Sequence, residues 1–199
     1  HLTGVALPDG QVVTMSYSAD GLLRARGTAD GTTIFIWDGQ NLLIEADEDL
    51  QTEVRYTQAP YLYGSLISQY RDGATRFHHF DRMGTTRQLT DAAQNVTDAY
   101  LHDAFGALQL HSGSSANPFT FVARLGYYQD PLLATYYLRA RHYDTSSGRF
   151  LSQDPLLTWS VLRGDQLRAA VARRLTSPAG QERYLSLIHI SEPTRLLSR

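Results

Sequence analysis

The feature that most constrains this chain is a turn that keeps returning. An aromatic or small residue is followed by Asp, then after a short interval by Gly or Asn, then by an apolar residue. It reads "SADGLL" at Asp20-Gly21, "WDGQNLL" at Trp37-Asp38, "FDRMGTTRQL" at Phe80-Asp81 and Gly84, "HDAFGALQL" at Asp103 and Gly106, and "YDTSSGRFL" at Tyr143-Asp144, Gly148 and Arg149. The Asp-to-Asp steps are 18, 43, 22 and 41 residues, close to one or two multiples of about twenty-one. In such a unit the aromatic packs on a sheet, Asp caps the turn backbone and Gly takes the left-handed position. One unit cannot bury its own apolar face, so the period implies stacked units.

Between these turns lie short runs rich in aromatic and β-branched residues. Among them are "TTIFIW" (Thr32–Trp37), "EVRYT" (Glu53–Thr57), "ATRFHHF" (Ala74–Phe80) and "PFTFVARL" (Pro118–Leu125), each read as a strand. Asp-Gly occurs at Asp9, Asp20, Asp30, Asp38 and Asp72, the dipeptide suited to tight hairpins. The expected fold is all-β: antiparallel hairpins stacked into part of a spiral shell, with a short C-terminal helix and an irregular tail.

The dipeptide heading each turn, most clearly Tyr143-Asp144, resembles the YD/RHS repeat family. The run "YYLRARHYDTSSGRFLSQDP" (Tyr136–Pro155) is similar to the "YYxRARYYDPxxGRFLSxDP" form of the RHS repeat-associated core domain. Similarity extends over about residues 17–156, and residues 1–16 are compatible with one more repeat. The resemblance implies a hollow spiral of hairpins that holds and delivers a variable C-terminal toxin, as in bacterial polymorphic toxins. Expected partners are the remainder of the shell, the toxin, secretion-system components and cell-surface glycans, with no nucleic acid. Expected localisation is secreted or cell-surface. A cell-surface adhesive or carbohydrate-binding repeat is the alternative, for which Tyr127-Tyr128 and Tyr136-Tyr137 would form an aromatic platform; the favoured reading of these tyrosines is packing within the shell wall.

The family also implies aspartyl self-cleavage at the end of the core, for which Asp144 and Asp154 are the local candidates. That chemistry needs two carboxylates close enough to share a proton. The family's "DPxGL" continuation after Pro155 is replaced by "LLTWSVLRGDQLR", so the chain itself is expected to be non-enzymatic. No cofactor or metal is expected. His78 and His79 are adjacent in a strand and point to opposite faces, while His102, His111 and His142 stand at aromatic positions and read as packing residues.

Charge marks a boundary near Asp154-Pro155. Residues 1–155 hold 17 acids against 11 arginines, and residues 156–199 hold 3 acids against 7 arginines. Three segments follow: a repeat core over 1–156, a divergent stretch over 157–184 with a helix at 165–175, and a tail over 185–199. In the helix Asp165 is placed to cap, and Leu167, Val171 and Leu175 form one stripe. The stretch from Leu156 to Tyr184 is too short to build an enzymatic core. "LSLIHISEPTR" (Leu185–Arg195) resembles, residue for residue, the in-frame translation of a sequencing-library adapter, so the tail is read as non-native. A chain that opens in mid-repeat with unpaired strand edges is expected to associate when expressed alone.

Overall fold

The computed structural model describes residues 1–153 of the chain. Asp154, Pro155, the helix expected at 165–175 and the adapter-like tail lie outside the described residues.

The first layer is an open eleven-stranded antiparallel sheet in which every strand pairs with the next in sequence. Its strands are β1 (Gly4–Ala6), β2 (Val12–Tyr17), β3 (Leu23–Thr28), β4 (Gly31–Asp38), β5 (Asn41–Ala46), β6 (Thr52–Gln58), β7 (Leu66–Arg71), β8 (Ala74–Phe80), β9 (Thr86–Thr90), β10 (Val96–His102) and β11 (Leu108–Ser112). Alternation dictates the buried face: in β2, Val13 and Met15 are buried between exposed Val12, Thr14 and Ser16. The register carries that face across the sheet, setting Phe35 opposite Glu45, Glu45 opposite Val54, and Val54 opposite Arg71.

Two turn chemistries close the hairpins other than β6–β7, which is joined by the longer loop 59–65. Asp72 and Gly73, with φ of 51° and 76°, form the two-residue turn between β7 and β8. The other turn has five residues: the first N–H donates to the fifth carbonyl, and the fourth N–H donates back to the first carbonyl. It recurs at Leu7–Gln11, Ser18–Leu22, Asp47–Gln51, Asp81–Thr85, Asp91–Asn95 and Asp103–Ala107. In the last four, Oδ1 of the leading Asp accepts the N–H groups of the third and fifth residues at 2.8–3.0 Å. Asp20 departs from the expected role. It is the third residue of its turn, and Ser18 leads instead, its Oγ accepting the Leu22 N–H at 3.1 Å.

The register slips by one residue at Ser16/Tyr17, Ile36/Trp37, His79/Phe80 and Leu101/His102. Each slip is a bulge just before a turn, which adds twist and re-aims the last side chain of the strand. Tyr17, Trp37 and Phe80 thereby pack against the core, and His102 meets the Phe121 ring at 6.0 Å. This is the physical reason for an aromatic position at the head of the unit.

The second layer comes from residues 113–151 and lies on that buried face. It contains a single 3-10 turn (Ala123–Leu125) and a four-stranded antiparallel sheet of β12 (Tyr128–Gln129), β13 (Thr135–Leu138), β14 (Arg141–Asp144) and β15 (Arg149–Phe150). Phe119, Ala123, Tyr128 and Tyr137 share one core with Val13, Met15, Leu23, Phe35, Leu42, Val54, Tyr56 and Leu66. Edge-on ring pairs join the layers: Tyr56–Phe119 at 4.9 Å, Phe35–Tyr128 at 5.3 Å and Trp37–Tyr137 at 6.2 Å. Each such pair adds about 0.5–1.5 kcal/mol beyond the area it buries.

"PFTFVARL" is not a strand. Phe119, Thr120, Phe121, Val122 and Ala123 are buried consecutively rather than alternately. Their backbone is satisfied from the first sheet: Thr86 Oγ1 donates to Phe119 O at 2.8 Å, Thr86 N–H to Thr120 O at 2.8 Å, and Val122 N–H to Thr85 Oγ1 at 3.2 Å. A segment whose polar backbone is met by side chains and single crossings needs no ladder.

Candidate functional site

The repeat motif marks one end of the hairpin sheet. The turns after β2, β4, β8 and β10 all lie at that end, since an up-and-down sheet returns to it every second strand. Each offers a backbone carbonyl to the inner layer. Gly21 O accepts from Tyr137 OH at 3.3 Å, Gln40 O from Arg139 Nε at 2.8 Å, Gly84 O from Arg124 N–H at 2.9 Å, and Phe105 O from Tyr143 OH at 3.0 Å. The twenty-one-residue period is therefore the spacing of docking points, one for each pair of strands.

Close approach explains the glycines there. A Cβ on Gly106 would stand 2.5 Å from the Phe121 ring, and one on Gly84 would stand 2.9 Å from Arg124 Cβ. Gly148 plays the same part from the inner layer, its Cβ position 2.9 Å from the Phe105 ring. The "YDTSSGRF" run thus folds around the Asp103 turn, with Tyr143 edge-on to Phe150 at 5.6 Å. The Arg141 guanidinium lies 3.5 Å from the centre of the Phe150 ring, while Arg149 is exposed. At the second motif, Trp37 Nε1 donates to Leu23 O at 2.7 Å, and Asp38 ends β4 opposite Asn41.

Asp144 is built as a turn cap. Its carboxylate accepts Ser146 N–H at 2.9 Å, Ser147 N–H at 3.3 Å, Ser147 Oγ at 2.6 Å and Ser146 Oγ at 2.8 Å. These bonds, the Ser147 hydroxyl first, hold its pKa below the usual carboxylate value.

Charged groups on the buried face are what sequence reading missed. Glu45 accepts Tyr56 OH at 2.6 Å and Arg71 Nη2 at 3.1 Å. Burial pushes its carboxyl up, against the pull of Arg71 and the tyrosine hydroxyls. Arg26 of β3 pairs with Asp130 of the inner layer at 3.0 Å, both side chains at most 10% exposed. The signal was present in "NLLIEA", where Glu45 falls on the inward phase of an apolar strand. A buried charge at such a place needs a partner. The crossing into the inner layer is anchored by Asp98, whose Oδ1 accepts Ser115 N–H at 2.9 Å and lies 3.1 Å from His111 Nε2.

The tyrosines form packing rather than a platform. Tyr127, Tyr128, Tyr136 and Tyr137 are all buried, between 0 and 4% exposed, and Tyr128 and Tyr137 join the layers. Among the described residues no three His, Asp or Glu side chains converge as metal ligands. No helix among them is long and apolar enough to cross a membrane.

No protein-family model matches the chain. The tRNA3(Ser)-specific nuclease WapA of Bacillus spizizenii is 30% identical over 150 residues, a match covering 74% of this chain and 6% of that protein. Double-stranded DNA deaminase toxin A of Burkholderia cenocepacia is 28% identical over 145 residues, covering 63% of this chain and 10% of the toxin. Among solved structures, TcdB2-TccC3 without its hypervariable C-terminal region superposes with a TM-score of 0.58 at 15% identity, over 77% of this chain and 8% of that one. The chain shares that fold of stacked antiparallel hairpins, and it spans no more than about a tenth of any of these proteins.

Proposed function

We propose that residues 1–151 are a wall segment of an RHS-type repeat shell, with the inner layer that finishes it, and that the intact protein encloses and delivers a toxin carried C-terminally. One observation carries this reading. A tRNA nuclease is similar to 74% of this chain and a double-stranded DNA deaminase toxin to 63% of it, so the two matches overlap, and two such different reactions cannot both reside in the shared part. A part common to unlike toxins is the part that holds them.

The physical build supports the role. The buried face is closed by aromatic packing, and its polar groups are spent on joining two layers. Asp144, engaged by Ser146 and Ser147, acts as a structural cap, and the segment itself is non-catalytic. Its partners are the rest of the shell and the carried toxin, and its site of action is outside the producing cell.

The test is protease protection in the intact protein. With the wall native, the toxin segment should resist a protease that cleaves it rapidly when it is expressed alone. Equal cleavage in both settings, with the wall shown to be folded, would overturn the reading.

A further inference from the structure

Two buried histidines, His78 and His142, and one half-buried histidine, His102, stand at separate points along the seam between the hairpin sheet and the inner layer. His78 on β8 stacks near Phe80 at 5.9 Å, and its Nδ1 lies 3.4 Å from Thr86 Oγ1, the hydroxyl that bonds Phe119 O. The titratable group bearing on it is His79, on the opposite face of the same strand. His102 on β10 lies against Phe121 at 6.0 Å, and both its ring nitrogens are buried without a hydrogen-bond partner. Arg87 opposes its protonation, while Asp103 and Asp81 favour it. His142 on β14 meets Tyr17 OH at 3.2 Å and the Tyr137 ring at 5.2 Å, with Asp130 and the N-terminal amine acting in opposite senses.

We infer that these three rings make the seam an acid-sensitive latch, which weakens as the surroundings fall from neutral toward pH 5. None of the three is hydrogen-bonded to a carboxylate that would neutralise an imidazolium; His102 meets an aromatic ring of the opposite layer and His142 a tyrosine hydroxyl of it. A proton added at any of them places a charge in the joint that the aromatic core closes. The inference does not depend on the encapsulation reading.

The direction follows from linkage. Burial takes His78 from 6.5 down to about 3, and His102 and His142 down to about 4. With the seam open, the same rings titrate near 6.5. The open form therefore binds more protons below pH 6.5, and closure is strongest above it. Stability erodes as the pH falls through the window between 6.5 and 4. Each ring shifts the open-to-closed ratio by about 25-fold between pH 7 and 5, and three together by about ten-thousand-fold. Glu45, raised by burial, acts in the opposite sense, so the histidine effect is isolated by comparing variants that all retain it.

The experiment is urea unfolding of the full chain at pH 7 and pH 5, followed by tyrosine near-ultraviolet dichroism. Between pH 7 and pH 5 the wild type should lose about 25-fold more of its folding ratio than His102→Phe, both retaining Glu45. A variant that follows the wild type overturns the latch. If His102→Phe does not fold, 13C-labelled histidine spectra of the wild type decide. Resonances of His78, His102 and His142 that stay unshifted to pH 5 while the fold persists support it. Titration near 6.5 within the folded protein overturns it.

Discussion

The two ends of the hairpin sheet use the same turn and put it to different uses. At one end Asp81 and Asp103 cap five-residue turns, and at the other Asp47 and Asp91 do the same with near-identical geometry. The fourth residue differs. At the docked end it is always glycine, Gly21, Gly84 or Gly106, whereas at the open end it is Gly10 in one turn but Leu50 and Gln94 in the others, at φ of 61° and 68°. Left-handed backbone alone therefore does not require glycine here. The inner layer does, because it occupies the space a side chain would fill. A conformational preference at one end has become a packing requirement at the other.

The sharpest way to break that comparison is to add the same methyl at both ends. Gly106→Ala meets the Phe121 ring and should cost about 3 kcal/mol, in the range of core overpacking plus left-handed strain. Gly10→Ala, at φ of 88° with nothing within 4 Å, should cost about 1 kcal/mol. Equal losses in urea melts at pH 7 would remove packing from the explanation. Next in size, Tyr137→Phe strips the hydroxyl that accepts Leu23 N–H at 2.7 Å. Leaving that buried donor unmet should cost about 1–3 kcal/mol, with hydrogen exchange at Leu23 rising first.

The caps should behave alike at both ends. Asp91→Ala and Asp103→Ala are each expected to lose about 1 kcal/mol, the usual value of a side chain satisfying orphan backbone donors. A clearly larger loss for Asp103 would mean that cap and docking are coupled. The smallest effect runs the other way: Gln94→Gly relieves a left-handed residue with no packing to lose, and should stabilise by about 0.5 kcal/mol. A melting temperature that falls instead would show that Gln94 makes a contact of its own.

The hairpin sheet was largely legible before the structure, and the inner layer was not. Strands such as β4, β6 and β8 announce themselves by aromatic and β-branched residues, and the turns by Asp and Gly, because both signals are local. The assignment of Asp20 as a cap failed for the same reason. Asp-Gly looks alike at the third and fourth positions of one turn and at the heart of another, and only the hydrogen bonds separate Ser18 from Asp20. "PFTFVARL" misled because a run of apolar residues reads as a strand whenever its backbone partners are distant. Glu45 and Arg26 belong to the least legible class, since nothing nearby in sequence tells an inward charge which residue will meet it. For the candidate site, the motif positions were visible, but not that they share one end, which depends on counting strands.

The strictly sequential order of the first sheet also bears on how the molecule is made. Each hairpin closes over a few residues, so β1 to β11 can assemble in turn as the chain emerges from the ribosome. The residues that cover Val13 and Met15 arrive only with Phe119 and Tyr137. At ordinary elongation rates that interval is roughly 5–20 s, during which a wide apolar face and an open edge stand uncovered. Synthesis of such a wall therefore depends on something holding nascent chains apart, and slowing translation before residue 113 should lower the soluble yield more than slowing it after residue 151.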